Sequence, residues 1–333
     1  MKDFTIYDIF RKNSLSFPSF PALVWNNETL TFTQLKERVD HISQGLSAQG
    51  LRPGDRIAVI GQNCDEYLFL MGAAARLGAI LVPINWRLSD DEVDYILTDA
   101  TPKVIVYDKD HASRINALPA SQVADCRCFA MNYPAGAPDP RILDLYGSPI
   151  PAARTTADTP YCLIYTAAMG GKPRGAVLTH GNIVTGNLQT LATMSLTHAD
   201  ANLNLLPLFH ITGINLCFAI LHAGGKNVIL PKFDAAAALS LTQRENVTVM
   251  GSFPPMLKNL EQAMDAGSPR PASLKHVLGI DAPDTIASFE KKTGAVFWML
   301  YGQTETSGMV TFSPASGKPG SAGRQGMMIR DCS

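Results

Sequence analysis

Short apolar runs alternate regularly with longer segments of helical periodicity, and this alternation limits the fold more than any other feature of the chain. The segment TFTQLKERVDHISQGLSAQG places Leu35, Val39 and Ile42 on one helical stripe, and the apolar run RIAVIG follows it. The same order returns with DEYLFLMGAAARLG and AILVPI, and again with a capping box from Ser89 to Glu92 before KVIVYD. Such alternation indicates βαβ units with right-handed crossovers and a mostly parallel sheet.

A proline-rich stretch from about residue 130 to residue 160 interrupts this pattern, which then resumes. We therefore predict an α/β protein with two similar, mostly parallel sheet-and-helix subdomains packed together, together with a small β-rich element. The predicted subdomains are residues 1–155 and 156–333, and the β-rich segment begins near the end of the second. Ligands of such sheets bind beyond the carboxyl ends of the strands, so the loops there are the candidate sites.

Charge and composition exclude several classes of function. The formal net charge of -1 gives no electrostatic reason to expect nucleic acid or an anionic membrane as a partner. No apolar run approaches the length of a membrane span, and the first residues do not form a signal peptide. The six cysteines are irregularly spaced, and Cys126-x-Cys128 does not match a zinc knuckle. These features predict reduced thiols and a cytoplasmic protein.

The most distinctive loop is YTAAMGGKPRGAVLTH, from Tyr165 to His180, which follows the apolar run YCLIYT. Backbone N–H groups of a glycine-containing turn bind anions, and we expect the following helix to reinforce them with its N-terminus. The loop does not fit the G-x-x-x-x-G-K-[ST] pattern, because Pro173 follows Lys172. Taken alone, an ordinary turn is an equally good interpretation.

Three further loops follow predicted strands. In LPLFHITGI, His210 is a candidate to contact a substrate, although an apolar setting also fits a partly buried structural ring. In MLYGQTETSG, Glu305 beside hydroxyl groups is suited to hold Mg²⁺ through one oxygen, and the alternative is a polar loop with capping groups. In LGIDAPDT, Asp281 or Asp284 alternatively caps the next helix.

Together, these loops resemble the adenylate-forming enzymes: acyl- and aryl-CoA synthetases, luciferases and adenylation domains of peptide synthetases. The family's phosphate loop reads roughly Y-T-S-G-T-T-G-x-P-K-G followed by T-H, and P-L-F-H-x-x-G, Y-G-x-T-E and P-G-S-x-G-R come later. The resemblance runs from near residue 20 to Arg324, and PLFHITG with GQTETSG is most similar to the CoA-ligase branch. The matching residues are Tyr165, Thr166, Gly171, Pro173, Gly175, Thr179, His180, Pro207, Leu208, Phe209, His210, Gly213, Tyr301, Gly302, Thr304 and Glu305.

The resemblance implies an ATP-dependent carboxylate–CoA ligase that forms an acyl-adenylate and then an acyl-CoA thioester, with ATP, Mg²⁺ and CoA as cofactors. It implies catalytic roles for His210, Arg174, Thr304 and Glu305, with Glu305 as the Mg²⁺ ligand. It implies nucleotide contacts from Thr166, Gly170, Gly171, Arg174, Asp281, Ala282, Pro283, Tyr301, Gly302, Gln303 and Thr304. It implies acid contacts from His210, Thr212, Gly213, Ser252, Phe253, Gly279, Ile280 and Tyr301, within segments 184–191, 210–215, 252–253 and 279–281.

The chain departs from the family pattern in its phosphate loop and near the adenine. The family's S-G-T-T becomes Ala167-Ala168-Met169-Gly170, which removes hydroxyl groups that would bind phosphate, and the family's Lys becomes Arg174. Each lost hydrogen bond to a charged group weakens the interaction by about 1.5–3 kcal/mol. Ile280 and Asp281 stand where the family has glycines. We therefore expect a weakened or remodelled phosphate loop, whether natural or engineered.

The family's mobile C-terminal domain, with its catalytic lysine, has no counterpart after the segment KPGSAGR. The expectation is an N-terminal portion in which adenylation is impaired and CoA is not used. The alternative function is a non-catalytic remnant that binds a carboxylate or a nucleotide. An aromatic, alicyclic or medium-chain acid fits equally well, and homodimers are common in such families. A dinucleotide-binding oxidoreductase is a remote alternative, because the dinucleotide-binding motif G-x-G-x-x-G does not follow the first predicted strand.

Overall fold

Fourteen strands and ten α-helices occur in the part of the chain that the computed structural model describes, which is residues 3–119, 125–166, 172–317 and 320–327. The strands are β1 (Pro21–Trp25), β2 (Glu28–Thr31), β3 (Arg56–Ile60), β4 (Ile80–Ile84), β5 (Val104–Tyr107), β6 (Arg127–Ala130), β7 (Pro160–Thr166), β8 (Arg174–Thr179), β9 (Ala201–Asn204), β10 (Lys226–Ile229), β11 (Val249–Ser252), β12 (His276–Gly279), β13 (Val296–Gln303) and β14 (Gly308–Pro314). The helices are α1 (Ile6–Ser16), α2 (Phe32–Ala48), α3 (Asp65–Leu77), α4 (Asp90–Ala100), α5 (Ala112–Asn116), α6 (His180–Met194), α7 (Ile211–Ala223), α8 (Ala235–Glu245), α9 (Met256–Asp265) and α10 (Pro283–Thr293).

Contacts between residues divide the chain into two units that interleave along the sequence. The first unit comprises Met1–Ser19, Phe32–Val184 and Leu208–His210. The second unit comprises Phe20–Thr31, Thr185–Pro207 and Ile211–Ser333. The predicted α/β class with two mostly parallel sheets is confirmed, while the division at residues 155 and 156 stays a prediction from the sequence.

The first unit contains a six-stranded sheet in the order β6-β5-β3-β4-β7-β8. All neighbouring strands are parallel except β7 and β8, which form an antiparallel pair. The apolar runs predicted as β3 and β5 are buried as expected for strands covered on both faces. The capping box before α4 is also confirmed, because the N–H of Ser89 donates to the carboxylate of Glu92 at 2.9 Å.

The second unit contains an eight-stranded sheet in the order β14-β13-β12-β11-β9-β10-β1-β2. Its parallel centre runs β10-β9-β11-β12-β13, and antiparallel strands β2 and β14 lie at the two edges. Chain order reverses between β9 and β11, and open α/β sheets bind ligands beyond the carboxyl ends of strands at such a switch point. Ser252 is the last residue of β11 and therefore lies at this position.

One element of the first unit differs from the sequence-based expectation. The glycine-rich loop was expected to lead directly into a helix, but β8 lies between this loop and α6. The short run RGAVLT pairs with β7 along its length, so the glycine-rich loop lies between two antiparallel strands. The expectation was wrong because an edge strand of six residues, with Val177 exposed and Leu178 buried, gives a weak signal beside a helix start.

Among the described residues, no helix is both long enough and apolar enough to cross a membrane. Within the part of the chain that the structure describes, clusters of buried aliphatic and aromatic side chains include one in the first unit around Ile105 and Tyr107 and one in the second unit around Leu203, Phe289 and Phe297.

His180, the first residue of α6, is a buried titratable group of the first unit. Its side chain is fully buried, and its Nδ1 accepts a hydrogen bond from the backbone N–H of Ile6 at 3.3 Å. Its ring lies 5.1 Å from the ring of Tyr161. Burial lowers the pKa of His180 to about 4 from 6.5, although the carboxylate of Asp8 acts in the opposite direction. The histidine is therefore neutral in the folded protein at neutral pH.

This burial predicts acid sensitivity. Below pH 6.5 the unfolded chain binds a proton at His180 that the folded protein does not bind until about pH 4. The free energy of unfolding should therefore fall by about 1.4 kcal/mol from this residue between pH 7.5 and 5.5. Urea denaturation at both pH values measures the loss, and subtracting the same difference in His180→Gln isolates the histidine. An equal pH dependence in both proteins would contradict the prediction.

Candidate functional site

The turn between β13 and β14 carries the most specific sequence motif. The strand β13 continues through Tyr301, Gly302 and Gln303, although the sequence predicted that it would end before them, because β14 pairs with this segment across a bulge. Residues Thr304–Thr306 then form one turn of 3₁₀ helix. The hydroxyl oxygen of Thr306 lies 2.9 Å from the carbonyl oxygen of Gln303, which fixes the turn.

Side chains of this turn face different environments. Thr304 is buried, Glu305 is exposed and Tyr301 is 54% exposed. An exposed carboxylate beside a turn rich in hydroxyl groups suits Mg²⁺ that is held mainly by water and phosphate oxygens, since Mg²⁺ retains much of its hydration. No group of three or more potential metal-ligating His, Cys, Asp or Glu side chains occurs among the described residues.

The loop between β12 and α10 carries a second group of candidate residues. Gly279 ends β12, the Ile280 side chain is 42% exposed, and Pro283 is the first residue of α10. The helix is capped at Ala282 without a side-chain hydrogen bond, so the alternative of a capping Asp281 or Asp284 is wrong. The Oδ1 of Asp281 instead accepts a hydrogen bond from the N–H of Ala282 at 2.8 Å.

A pocket of about 280 Å³ opens next to this loop. Its walls are mainly apolar, and they include Asp281, Pro283, Ile286, Ala287 and Met299. The Oδ2 of Asp281 is buried and has no hydrogen-bond partner. An apolar pocket with a few polar groups is the usual setting for a small-molecule ligand.

Strand register places the carboxyl ends of β11 and β12 side by side. Ser252 pairs with Gly279, and Gly279 pairs with Met299 within β13, which continues to Gln303. Phe253 follows the end of β11, Ile280 to Pro283 follow the end of β12, and Tyr301 to Glu305 lie at the end of β13 and in the turn after it; all were predicted from the sequence. Thr212 and Gly213 lie in the first turn of α7, where Thr212 is buried.

The remaining nucleotide candidates belong to the first unit. Thr166 ends β7 and pairs with Arg174, the exposed first residue of β8. Gly170 and Gly171 lie outside the described residues. The ammonium group of Lys172 lies 5.1 Å from the centre of the Tyr95 ring. Lys172 and Arg174 therefore place positively charged side chains at the turn end of the β7–β8 hairpin.

His210 lies directly before α7 and belongs by its contacts to the first unit. Next to it, Leu208 donates its backbone N–H to the Oδ1 of Asn63 at 2.9 Å, and Phe209 packs edge-on against Trp86. The ring of His210 is exposed, yet desolvation by the surrounding protein lowers its pKa. The neutral imidazole therefore predominates at neutral pH and is able to approach a carboxylate as a hydrogen-bond donor.

Three buried polar residues of the second unit had no individual role predicted from the sequence, although Asn187 and Asn215 lie within the segments expected to line the acid pocket. Asn187 on α6, Asn215 on α7 and Ser307 after the 3₁₀ turn each have a buried polar atom without a hydrogen-bond partner. The sequence contained a signal for Asn187 and Asn215, because asparagine is rarely buried and both residues lie in apolar helical segments.

These two units, each with a parallel sheet and an antiparallel hairpin at an edge, define an α/β class whose candidate residues lie at strand ends and hairpin turns. This chain belongs to the AMP-binding enzyme family, which matches residues 10–333. A feruloyl-CoA synthase of Amycolatopsis sp is 32% identical over 312 residues, which cover 92% of this chain and 61% of that protein. The chain thus spans less than two thirds of that relative's length.

Two solved structures show the same fold. A chain from Rhodopseudomonas palustris CGA009, described provisionally as a long-chain-fatty-acid CoA ligase, is 37% identical with a TM-score of 0.90. The match covers 98% of this chain and 82% of that one. The inhibitor-bound N-terminal domain of FACL13 from Mycobacterium tuberculosis is 27% identical with a TM-score of 0.88, and the match covers 98% and 83% of the two chains.

Proposed function

We propose that this chain is the nucleotide- and acid-binding part of an ATP-dependent carboxylate–CoA ligase. The observation that carries the proposal is the exposed Glu305 carboxylate in the turn after β13, together with the loop after β12 and its apolar pocket in the same unit. Membership of the AMP-binding enzyme family and similarity to CoA ligases support it.

The first step of the proposed reaction joins the acid to ATP. A carboxylate oxygen attacks the α-phosphorus, the bond to the bridging oxygen breaks, and pyrophosphate leaves with that electron pair. The product is an acyl-adenylate. The protein has little covalent work to do, so the rate depends on placing the two reactants in line and on neutralising the charge of the phosphates.

Each candidate residue has a proposed task in this step. Glu305 holds Mg²⁺, which neutralises phosphate charge when bound. Thr304 contacts the α-phosphate, and Thr166 and Arg174 bind the β- and γ-phosphates together with Gly170 and Gly171. The neutral His210 contacts the acid's carboxylate.

The adenine base of ATP and the carboxylic acid substrate are proposed to bind to the second unit. In this proposal, Tyr301, Gly302 and Gln303 contact the nucleotide, and the segment Asp281 to Pro283 lies beside the adenine. The proposed acid contacts there are Thr212, Gly213, Ser252, Phe253, Gly279 and Ile280.

In the proposed second step, the sulfur of CoA attacks the acyl carbonyl carbon, and AMP leaves with the electron pair of the broken C–O bond. This step is proposed for the whole protein. Homodimerisation also remains a proposal.

A second candidate function is a protein that binds a carboxylate or nucleotide without ligating it. The observation that favours it is the sequence Ala167-Ala168-Met169, which lacks the hydroxyl groups of the family's phosphate loop. These three residues lie outside the described part of the structure.

Calorimetric titration of the chain with ATP and Mg²⁺, with and without aryl and alkyl carboxylic acids, tests the proposal. We expect saturable ATP binding that is strengthened by Mg²⁺. Binding of acids without any binding of ATP would contradict the ligase and support the second candidate.

A further inference from the structure

Several residues of the second unit have buried polar atoms without a hydrogen-bond partner among the described residues, and Asn187, Asn215 and Ser252 lie in the segments expected to line its acid pocket. Both amide atoms of Asn187, the Oδ1 of Asn215 and the hydroxyl oxygens of Ser252 and Ser307 belong to this set. The exposed fractions of these four side chains are 0%, 1%, 0% and 8%. Folded proteins pair nearly all buried polar atoms, so several unpaired ones at one predicted site require an explanation.

The geometry around Asn215 shows that its amide is held in place and not merely misplaced. Its Nδ2 donates a hydrogen bond to the carbonyl oxygen of Ser307 at 2.8 Å, which fixes the plane of the amide. Gly186 on α6 adjoins the pair, because a Cβ there would lie 3.3 Å from that carbonyl oxygen and 3.6 Å from the Oδ1 of Asn215. Glycine therefore lets α6 pack closely against this oriented acceptor.

The other unpaired groups come from different elements of the same unit. Asn187 follows Gly186 on α6, and Ser252 ends β11 at the switch point of the sheet. An unpaired polar group in an apolar interior is destabilising, and packing a hydrocarbon ligand against it does not remove this free-energy cost. A ligand hydroxyl both donates and accepts, so it satisfies amide oxygens, amide N–H groups and serine hydroxyls.

We propose that the acid site of this chain selects carboxylic acids whose acyl part carries a hydroxyl group or a comparable hydrogen-bonding oxygen, in preference to plain hydrocarbon acids. The inference rests on the proposed function, because it names the substrate class of the proposed acid site. Asn187, Asn215, Ser252 and Ser307 supply the discrimination. A site built to bond a ligand hydroxyl rejects the analogue that lacks it, since its own polar groups are then left unpaired.

The test compares matched acids by calorimetry in the presence of ATP and Mg²⁺: cinnamate with 4-hydroxycinnamate, and dodecanoate with 12-hydroxydodecanoate. We expect the hydroxylated member of at least one pair to bind about tenfold more tightly or better. Equal affinities within both pairs would overturn the inference while leaving the ligase proposal intact, and would assign the unpaired atoms to ordered water. Absence of binding by all four acids would overturn the ligase proposal and this inference together.

Two variants on α6 separate recognition from a structural role. Asn187→Leu removes both unpaired amide atoms at similar volume, and we expect it to abolish the preference while leaving the free energy of unfolding unchanged or higher. Thr190→Val is the control, because the Thr190 hydroxyl is buried but donates to the carbonyl oxygen of Gly186 at 2.9 Å within the helix. This control should retain the preference. A preference that survives Asn187→Leu, or a destabilised Asn187→Leu with normal selectivity, would refute the assignment of Asn187.

Discussion

Glu305→Gln is expected to lower the rate of acid-dependent pyrophosphate release by about a hundredfold or more. The substitution keeps the size of the side chain but removes the negative charge proposed to hold Mg²⁺ at the turn after β13. Preorganised groups that stabilise charge in a transition state commonly contribute a factor of 10² to 10³. In calorimetry, Mg²⁺ should strengthen ATP binding to the unmodified chain and have little effect on the variant.

Glu261→Gln is the matched control for this experiment. Glu261 is a carboxylate on α9 of the same unit, where it accepts a hydrogen bond from the Ser288 hydroxyl at 2.6 Å. Its loss should change neither nucleotide binding nor pyrophosphate release. Normal Mg²⁺-dependent ATP binding in Glu305→Gln would remove Glu305 from the proposed site.

Gly302→Ala is expected to reduce the free energy of unfolding by about 3 kcal/mol or more. Gly302 lies at the bulge of β13, and an added Cβ would overlap the carbonyl oxygen of Gly308 on β14. Because the obstacle is backbone and not a flexible side chain, relief requires the two strands to separate. Urea denaturation measures the loss.

Gly317→Ala provides the comparison for this prediction. No heavy atom would lie within 4 Å of a Cβ at Gly317, and its backbone does not occupy the left-handed region. We expect a change within about 0.5 kcal/mol there. A Gly302→Ala variant as stable as Gly317→Ala would show that the hairpin accommodates the methyl group.

Periodicity was sufficient to predict the class of fold, because buried parallel strands and amphipathic helices have strong and different patterns. Periodicity did not predict the strands of two antiparallel hairpins. The segment RGAVLT was missed as β8, and Tyr301 to Gln303 were assigned to a loop, because both pair as antiparallel strands at the edges of sheets. Edge pairing depends on the partner strand and its register, which local sequence does not contain.

The candidate site was likewise only partly predictable from the sequence. Resemblance to the adenylate-forming family selected residues at adjacent strand ends, and register explains why Ser252, Gly279 and Met299 are neighbours. Asn187 and Asn215 were predicted only as members of the segments that line the acid pocket, since the significance of their unpaired amide atoms depends on burial and on the lack of a partner among the described residues. Capping by Asp281 was a sound local alternative, but Ala282 and Pro283 begin the helix instead.

The most direct test of the proposed function follows isotope from the acid to the nucleotide. The chain is incubated with ATP, Mg²⁺ and a carboxylic acid labelled with ¹⁸O in both carboxyl oxygens, and the nucleotide products are analysed by mass spectrometry. Attack of the carboxylate on the α-phosphorus predicts acyl-AMP, and AMP that carries one ¹⁸O after the adenylate is cleaved at its carbonyl carbon. ADP as the acid-dependent product, or AMP without label, would contradict adenylate formation.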